Sequence, residues 1–335
     1  MTMRSLAAVA LLTWGGLANA CADEAEATGA ERAHLDDLVA GDGSDYPPSV
    51  GASENAAPDV LAQVSAPACP PGAICRDADP RVEDLDRNGP YRFSSYNVPR
   101  GSDHGGATIF YPTDAQPPFA YALYCPPYTA TRAAFSAWGP FFASHGIVLA
   151  TMDTVTTGDY PPRRAKGIVE VMTGLRGENR RASSPLYEKL DESRGGVIGW
   201  SMGGGGVWIA SGDHPEWKSA VTLAGHNITA TGWQQSARRS TIPTLMMNGA
   251  TDLTILGGLG QSDSAYRTIP ESTPKLLYVF GMLGHFEWGS PTAGGRAVGR
   301  YVMAWEKTFL EGDERYREFL LQRGPGASIW QTNLR

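Results

Sequence analysis

The chain has 335 residues and a formal net charge of −7 at pH 7, room for one large domain or two small ones. The acidity is local: residues 21 to 90 carry 15 acidic and 4 basic groups, whereas residues 91 to 335 carry 20 and 23. No Lys/Arg cluster is dense enough for a nucleic-acid surface, which excludes nucleic acid as a partner, and past the first twenty residues no apolar run reaches the ~20 that a spanning helix needs.

The opening stretch, MTMRSLAAVALLTWGGLANA, has a basic Arg4, an apolar run from Leu6 to Leu17 and the small-x-small end Ala18-Asn19-Ala20. That pattern predicts an export signal over residues 1–20, too short to span a membrane. Cys21 directly after the cut leaves an N-terminal lipid anchor open as the alternative to free secretion. Residues 21–88 are rich in Ala, Asp, Glu, Gly, Ser and Pro and show no sustained apolar period. They read as an acidic disordered tether or pro-segment. Export also makes the cysteines legible. Cys69 and Cys75, in CPPGAIC, can close a small disulfide loop in an oxidising compartment. Cys125, inside the apolar FAYALYC, reads as a buried free thiol, and no paired CxxC spacing suggests structural zinc.

From Tyr91 the texture changes. YRFSSYNVP and ATIFYP read as strands joined by a turn near RGSDHGG, and FAYALYC as a continuous apolar strand. TRAAFSAWGPFFASH has helical spacing, with Pro140 predicted to kink or break it. GIVLATMD is a buried strand and RRAKGIVEVMTGLRGE a helix. GGVIGW, KSAVTLAG, TIPTLMMNGA and PKLLYVFG follow as strands, and AVGRYVMAWEKTFLEG closes the chain as a helix. Apolar strands alternating with amphipathic helices predict an α/β fold with a mostly parallel central sheet covered on both faces. Residues 89–335 form the predicted catalytic domain.

One stretch carries chemistry. GWSMG, residues 199 to 203, fits the G-x-S-x-G nucleophile elbow, with a strand before Ser201 and a helix after it. So tight a turn strains the serine backbone and leaves no room for side chains at Gly199 and Gly203. Three more glycines, Gly204 to Gly206, follow. They are expected to let the helix lie close to the sheet and to keep the cleft around Ser201 shallow.

A serine nucleophile needs a base, and the base an orienting acid, in the chain order Ser, Asp or Glu, His on this fold. Of the six histidines, only His285 follows a late strand, in MLGHF. Asp252 directly follows the preceding strand, in GATDLTI; Asp263, further on, is the weaker candidate for the acid. The predicted triad is therefore Ser201, Asp252 and His285. Backbone amides of Met202, after the nucleophile, and Tyr128, in CPPYTA, are the candidate oxyanion hole; the Tyr128 ring is also a candidate substrate contact.

Together these pieces resemble the bacterial cutinases and polyester hydrolases, including enzymes that cleave poly(ethylene terephthalate). GATIFYPTDA, PPYTAT, WGPFFASHGIVLATMDT, GWSMGGGG, IPTLMMNGATDLTI and LGHFEW carry the resemblance, from about Gly89 to Gly324. It implies a lidless α/β-hydrolase fold with the triad and oxyanion hole just named; no cofactor or metal is assigned, and a monomer acting on ester or polyester substrates is expected. Trp200, Tyr128, His226 and Phe286 are the candidate substrate contacts.

Two departures stand out. The family often has a Pro-Trp pair after the strand that follows the elbow helix. Here the stretch is TLAGHN, with Gly225 read in the tryptophan's place and His226 after it. His226 is either a cleft residue that hydrogen-bonds an ester or fills the missing ring's space, or a solvated loop histidine. The family's C-terminal disulfide is also absent, since no cysteine follows Cys125. The expected activity is hydrolysis of short- to medium-chain esters and aliphatic polyesters. The alternatives are a small-molecule or lipid esterase without polymer activity, and a non-catalytic binding protein on the same scaffold.

Overall fold

Alternation along the apolar strands decides which helices cover which face. In the computed structural model, which describes residues 68–227, 232–253 and 258–335, the third strand, β3 (Phe119–Cys125), is buried along its whole length. Ala120, Ala122 and Tyr124 enter one core cluster, while Tyr121, Leu123 and Cys125 enter the other. Successive side chains of a strand point to opposite faces, so a continuous apolar strand needs cover on both. The first face is packed by helices α1 (Trp138–Ser144) and α6 (Ala297–Trp305). The second is packed by α2 (Pro161–Arg180) and α3 (Met202–Ser211). A third cluster joins α3 to α4 (Trp233–Arg239) and α5 (Gly258–Thr268) over the later strands.

Among the described residues nine strands pair in the order β1-β2-β4-β3-β5-β6-β7-β8-β9. Six are parallel neighbours: β4 (Val148–Asp153), β3, β5 (Leu190–Trp200), β6 (Ser219–Leu223), β7 (Thr244–Gly249) and β8 (Lys275–Phe280). β1 (Phe93–Val98) and β2 (Gly106–Pro112) run antiparallel at one edge, and β9 (Ala327–Thr332) at the other. The expected mostly parallel sheet flanked by helices is the one observed, with β9 an addition: its half-exposed ASIWQT gave no clear alternation. Asn333 fastens the end of this edge strand by accepting from the Lys275 amide at 2.8 Å and donating to the Glu271 and Thr273 carbonyls, both at 2.8 Å.

Two local expectations change. The helix read over TRAAFSAWGPFFASH is a 3-10 turn, Arg132–Phe135, followed by α1. Pro140 lies in the first turn of α1, where a missing N–H leaves no hydrogen bond unmade. The boundary at residue 88 also moves. Cys69 and Cys75 are joined by a disulfide, and a 3-10 turn, Val82–Asp86, sets Leu85 into the first-face core at 1% exposure. Arg76 donates to Glu311 at 2.9 Å with both side chains buried, and Lys307 reaches the same carboxylate at 2.7 Å. A single buried leucine and long-range ion pairs, Arg76 with Glu311 and Asp86 with Arg300, have no periodicity, so nothing local marked residues 68–88 as packed. Cys125 is free and buried. The export signal, Cys21 and the remainder of the expected tether lie outside the described residues, and among those described no helix is long and apolar enough to cross a membrane.

Candidate active site

β5 ends at Trp200, and the chain then reverses into α3 through Ser201, whose backbone stands at φ 57°, ψ −120°. This is a conformation that L side chains rarely adopt. The neighbouring loops hold it there. The Ser201 amide donates to the Leu223 carbonyl at 2.9 Å, and the Ser201 carbonyl accepts from the Gly205 and His226 amides at 3.1 and 3.0 Å. Two more non-glycine residues with positive φ flank the site, Thr129 at 63° and Ala224 at 46°.

The four glycines after Ser201 prove to be contact points rather than open space. A β-carbon on Gly203 would collide with the Cys125 and Pro126 carbonyls, and one on Gly204 would stand 2.7 Å from Gly225 Cα. On Gly205 it would collide with the His226 carbonyl, and on Gly206 it would meet Arg164 Cβ at 3.0 Å. The run lets α3 press against two loops, those after β3 and β6, and against α2 at once. The expected close approach is present, but these glycines face protein backbone and not a shallow cleft.

Parallel strands bring the other predicted residues to the same edge of the sheet. Asp252 comes three residues after β7 and His285 five after β8. Thr251 ties the two loops together, its amide and hydroxyl donating to the Leu283 carbonyl at 3.1 and 2.7 Å. His285 Nδ1 lies 2.8 Å from Asp252 Oδ2, and its Nε2 lies 2.9 Å from Ser201 Oγ. The Asp252 side chain is fully buried and that of His285 is 9% exposed. Asp263, the weaker candidate, instead pairs with Arg267 along α5.

His226 contributes what sequence reasoning left undecided. Its Nε2 also lies 2.9 Å from Ser201 Oγ, and the residue is 3% exposed, so it is not a solvated loop histidine. Burial, with His285 next to it, lowers its pKa to about 4, which keeps it neutral near pH 7. Its Nδ1 is buried without a hydrogen-bond partner among the described residues. Among the described residues no acid orients this ring, whereas Asp252 holds that of His285. A side chain at Gly225 would point to the Trp208 ring and Thr222, both within about 3.2 Å, away from the serine. The position that faces Oγ is 226, one residue later than the sequence reading placed the missing ring.

The remaining predicted residues divide. Met202 is the first residue of α3, so its amide has no intrahelical acceptor. Tyr128 follows β3 on the same edge, is half exposed, and precedes Thr129, whose amide is bound to the Thr157 carbonyl at 2.9 Å. Phe286 is 67% exposed beside the His285 ring. Trp200, expected as a substrate contact, is buried and faces inward: its indole N–H donates to the His285 carbonyl at 2.9 Å. Glu287 completes the brace by accepting from the Gly284 and Phe286 amides, both at 3.1 Å.

Arg164 escaped the sequence reading, since it looks like one more charge on an amphipathic helix. It is fully buried, and its guanidinium donates to the Pro126 and Asp159 carbonyls at 2.8 Å and the Thr157 carbonyl at 3.2 Å. It fixes the loop that carries Tyr128 to the loop before α2. Around the edge, Tyr160, Leu253 and Met282 join Tyr128 and Phe286 as exposed apolar side chains, each in a loop that follows a parallel strand.

A hydroxyl bonded to an imidazole whose far nitrogen is held by a buried carboxylate is the arrangement that nucleophilic attack by serine requires. Comparison with known proteins agrees with it. Cutinase 1 of Thermobifida cellulosilytica is 35% identical over 237 residues, covering 70% of this chain and 85% of that protein. A cutinase of Thermobifida fusca (strain YX) is 35% identical over 237 residues, covering 70% and 74%. Bis(hydroxyethyl) terephthalate hydrolase of Streptomyces coelicolor is 31% identical over 235 residues, covering 69% and 71%. With residues 72–331 matching the family described as PET hydrolase-like, the chain belongs to that family of α/β-hydrolase carboxylic ester hydrolases.

Proposed function

We propose that this chain is an exported serine ester hydrolase of the cutinase and polyester-hydrolase type, working through an acyl-enzyme. The carrying observation is the Ser201–His285–Asp252 chain of hydrogen bonds, at 2.9 and 2.8 Å. Ser201 Oγ attacks the ester carbonyl as His285 Nε2 takes its proton. The Met202 and Tyr128 amides receive the oxyanion. His285 returns the proton to the leaving alcohol, and the same steps with water release the acid. Asp252 keeps the proton on Nδ1, so that Nε2 stays free to accept.

The exposed apolar side chains around this edge support bulky, apolar esters as substrates, short- to medium-chain esters and aliphatic polyesters among them. The imidazole at 226, where a flat aromatic ring would stack on an aromatic acyl group, favours a second reading: a hydrolase of soluble esters without polymer activity. The export signal over residues 1–20 supports secretion, with Cys21 as a lipid anchor the alternative. The test is p-nitrophenyl butyrate turnover by wild type and Ser201→Ala, followed by acid release from an aliphatic polyester film. Turnover that survives the substitution contradicts the serine mechanism. Turnover of the soluble ester with no film hydrolysis selects the second reading.

A further inference from the structure

Ser201 Oγ has two imidazole nitrogens at 2.9 Å, and only one of them is explained by the triad. The inference drawn from the second rests on the serine-hydrolase reading above. Its starting point is a count of protons. His285 Nδ1 faces the fully buried Asp252 carboxylate, so the proton of a neutral His285 sits on Nδ1 and its Nε2 is a bare acceptor. The Ser201 hydroxyl gives its single proton to that acceptor. At Oγ the other nitrogen must then be the donor, so His226 carries its proton on Nε2 and its Nδ1 is bare. The buried, unpartnered Nδ1 fits this assignment. The other tautomer would bury an unpartnered N–H and set two lone pairs against each other at Oγ. The ring is held in place by its own backbone, through the His226 amide to the Ser201 carbonyl at 3.0 Å, and by Asn227 Nδ2 to the Gly205 carbonyl at 3.2 Å.

We propose that His226 is a second catalytic histidine, a neutral Nε2–H donor to Ser201 Oγ that favours the free serine over the acyl-enzyme. In the resting enzyme Oγ accepts from Nε2–H. During acylation Oγ turns its lone pair to the carbonyl carbon and becomes an ester oxygen, a poor acceptor, so the hydrogen bond weakens. During deacylation, water attacks and gives a proton to His285 Nε2. The bond from the acyl carbon to Oγ then breaks, the electron pair returns to Oγ, and Oγ takes that proton from His285. The His226 proton stays on His226 throughout, and its hydrogen bond strengthens as charge returns to Oγ. The donor therefore slows entry into the acyl-enzyme and hastens exit by a combined factor of about 2 to 10, the worth of one hydrogen bond.

The test is the pre-steady-state burst of p-nitrophenol from p-nitrophenyl butyrate, which reads acylation and deacylation separately. His226→Phe keeps a ring and removes the donor. It is expected to shift the ratio of acylation to deacylation rate about 2- to 10-fold toward accumulated acyl-enzyme. His226→Gln supplies an amide donor and is expected to restore most of that ratio. An unchanged ratio in His226→Phe, or Phe and Gln variants that lose both rates alike, overturns the proposal and leaves His226 a packing residue. The wild type gives an independent reading if the variants do not fold. Long-range proton–nitrogen NMR should find the His226 proton on Nε2, with a shift when a fluorophosphonate modifies Ser201. A proton on Nδ1 overturns the proposal. A Ser201→Ala protein that still turns over ester would instead overturn the underlying serine mechanism, which separates the two failures.

Discussion

Gly205→Ala puts the packing account of the glycine run to its sharpest test. In an isolated helix this change stabilises by up to about 1 kcal/mol. Here the added carbon would overlap the His226 carbonyl oxygen and stand 2.9 Å from Asn227 Cγ. Ordinary contact begins at 3.4 Å and the His226 carbonyl oxygen would lie at 2.3 Å, so loop 224–227 must retreat by about 1 Å in an interior packed as tightly as a crystal. Overpacking of this kind costs about 1–3 kcal/mol. Loss of the hydrogen bond from Asn227 to the Gly205 carbonyl adds about 1 kcal/mol. Set against the helix gain, the net is about 1–3 kcal/mol, or a fall in melting temperature of roughly 2–10 °C for a domain of this size. Because the displaced loop carries His226, phosphonylation of Ser201 should change as well. The internal control is Gly174→Ala, in α2, where nothing lies within 4 Å of the added carbon; it should melt at or slightly above wild type. Differential scanning calorimetry of the two variants decides. A Gly205→Ala protein that melts as high as Gly174→Ala would show that these glycines are not contact points.

Other consequences are open to direct measurement. Asp252→Asn should leave the fold intact and lower kcat about 10³- to 10⁴-fold, because an amide no longer fixes the proton on His285 Nδ1; steady-state kinetics with an unchanged melting curve checks it. Trp200→Phe keeps the ring but removes the donor to the His285 carbonyl, and kcat should fall more than KM rises, since the group acts on His285 and not on substrate. A chain starting at residue 89 loses Leu85 from the core and Arg76 from Glu311, and should be less stable by several kcal/mol, measured by urea unfolding. Glu306 is fully buried in a π-helical turn, and burial pushes its carboxyl up from 4.5 to about 8. The unfolded state loses that proton first, so stability should fall as pH rises from about 4.5 through about 8 and then level off. Glu306→Gln should flatten this part of the stability profile.

What could be read in advance, and what could not, follows from how far apart the interacting residues lie in the chain. Ser201 declared itself because the elbow is local: strand, turn glycine and helix start fall within a dozen residues. Asp252 and His285 followed from chain order, since parallel strands deliver the residues after each one to a common edge. The apolar strands were legible for a related reason, each having to be apolar on two faces. Trp200 gave no sign that it turns inward, because its partner is a backbone carbonyl 85 residues away. Arg164 looks like any charge on an amphipathic helix until three loop carbonyls are seen around it. Residues 68–88 hold on through one buried leucine, one disulfide and ion pairs of Arg76 with Glu311 and Asp86 with Arg300, none of which has a period to detect. His226 was visible as an oddity in TLAGHN, but its meaning depends on Ala224 taking a left-handed turn at φ 46°. That turn carries the ring at 226, and not the glycine before it, to the serine.

The central claim, that Ser201 is the nucleophile and is activated through His285 and Asp252, is tested most directly by intact-mass and peptide mapping after reaction with a fluorophosphonate ester. Wild type should take up one phosphonyl group, located on the peptide containing Ser201. Ser201→Ala should take up none, and His285→Ala should react at least about a thousandfold more slowly. Labelling at another residue, or an unmodified Ser201 in a protein that still hydrolyses p-nitrophenyl butyrate, would contradict the account.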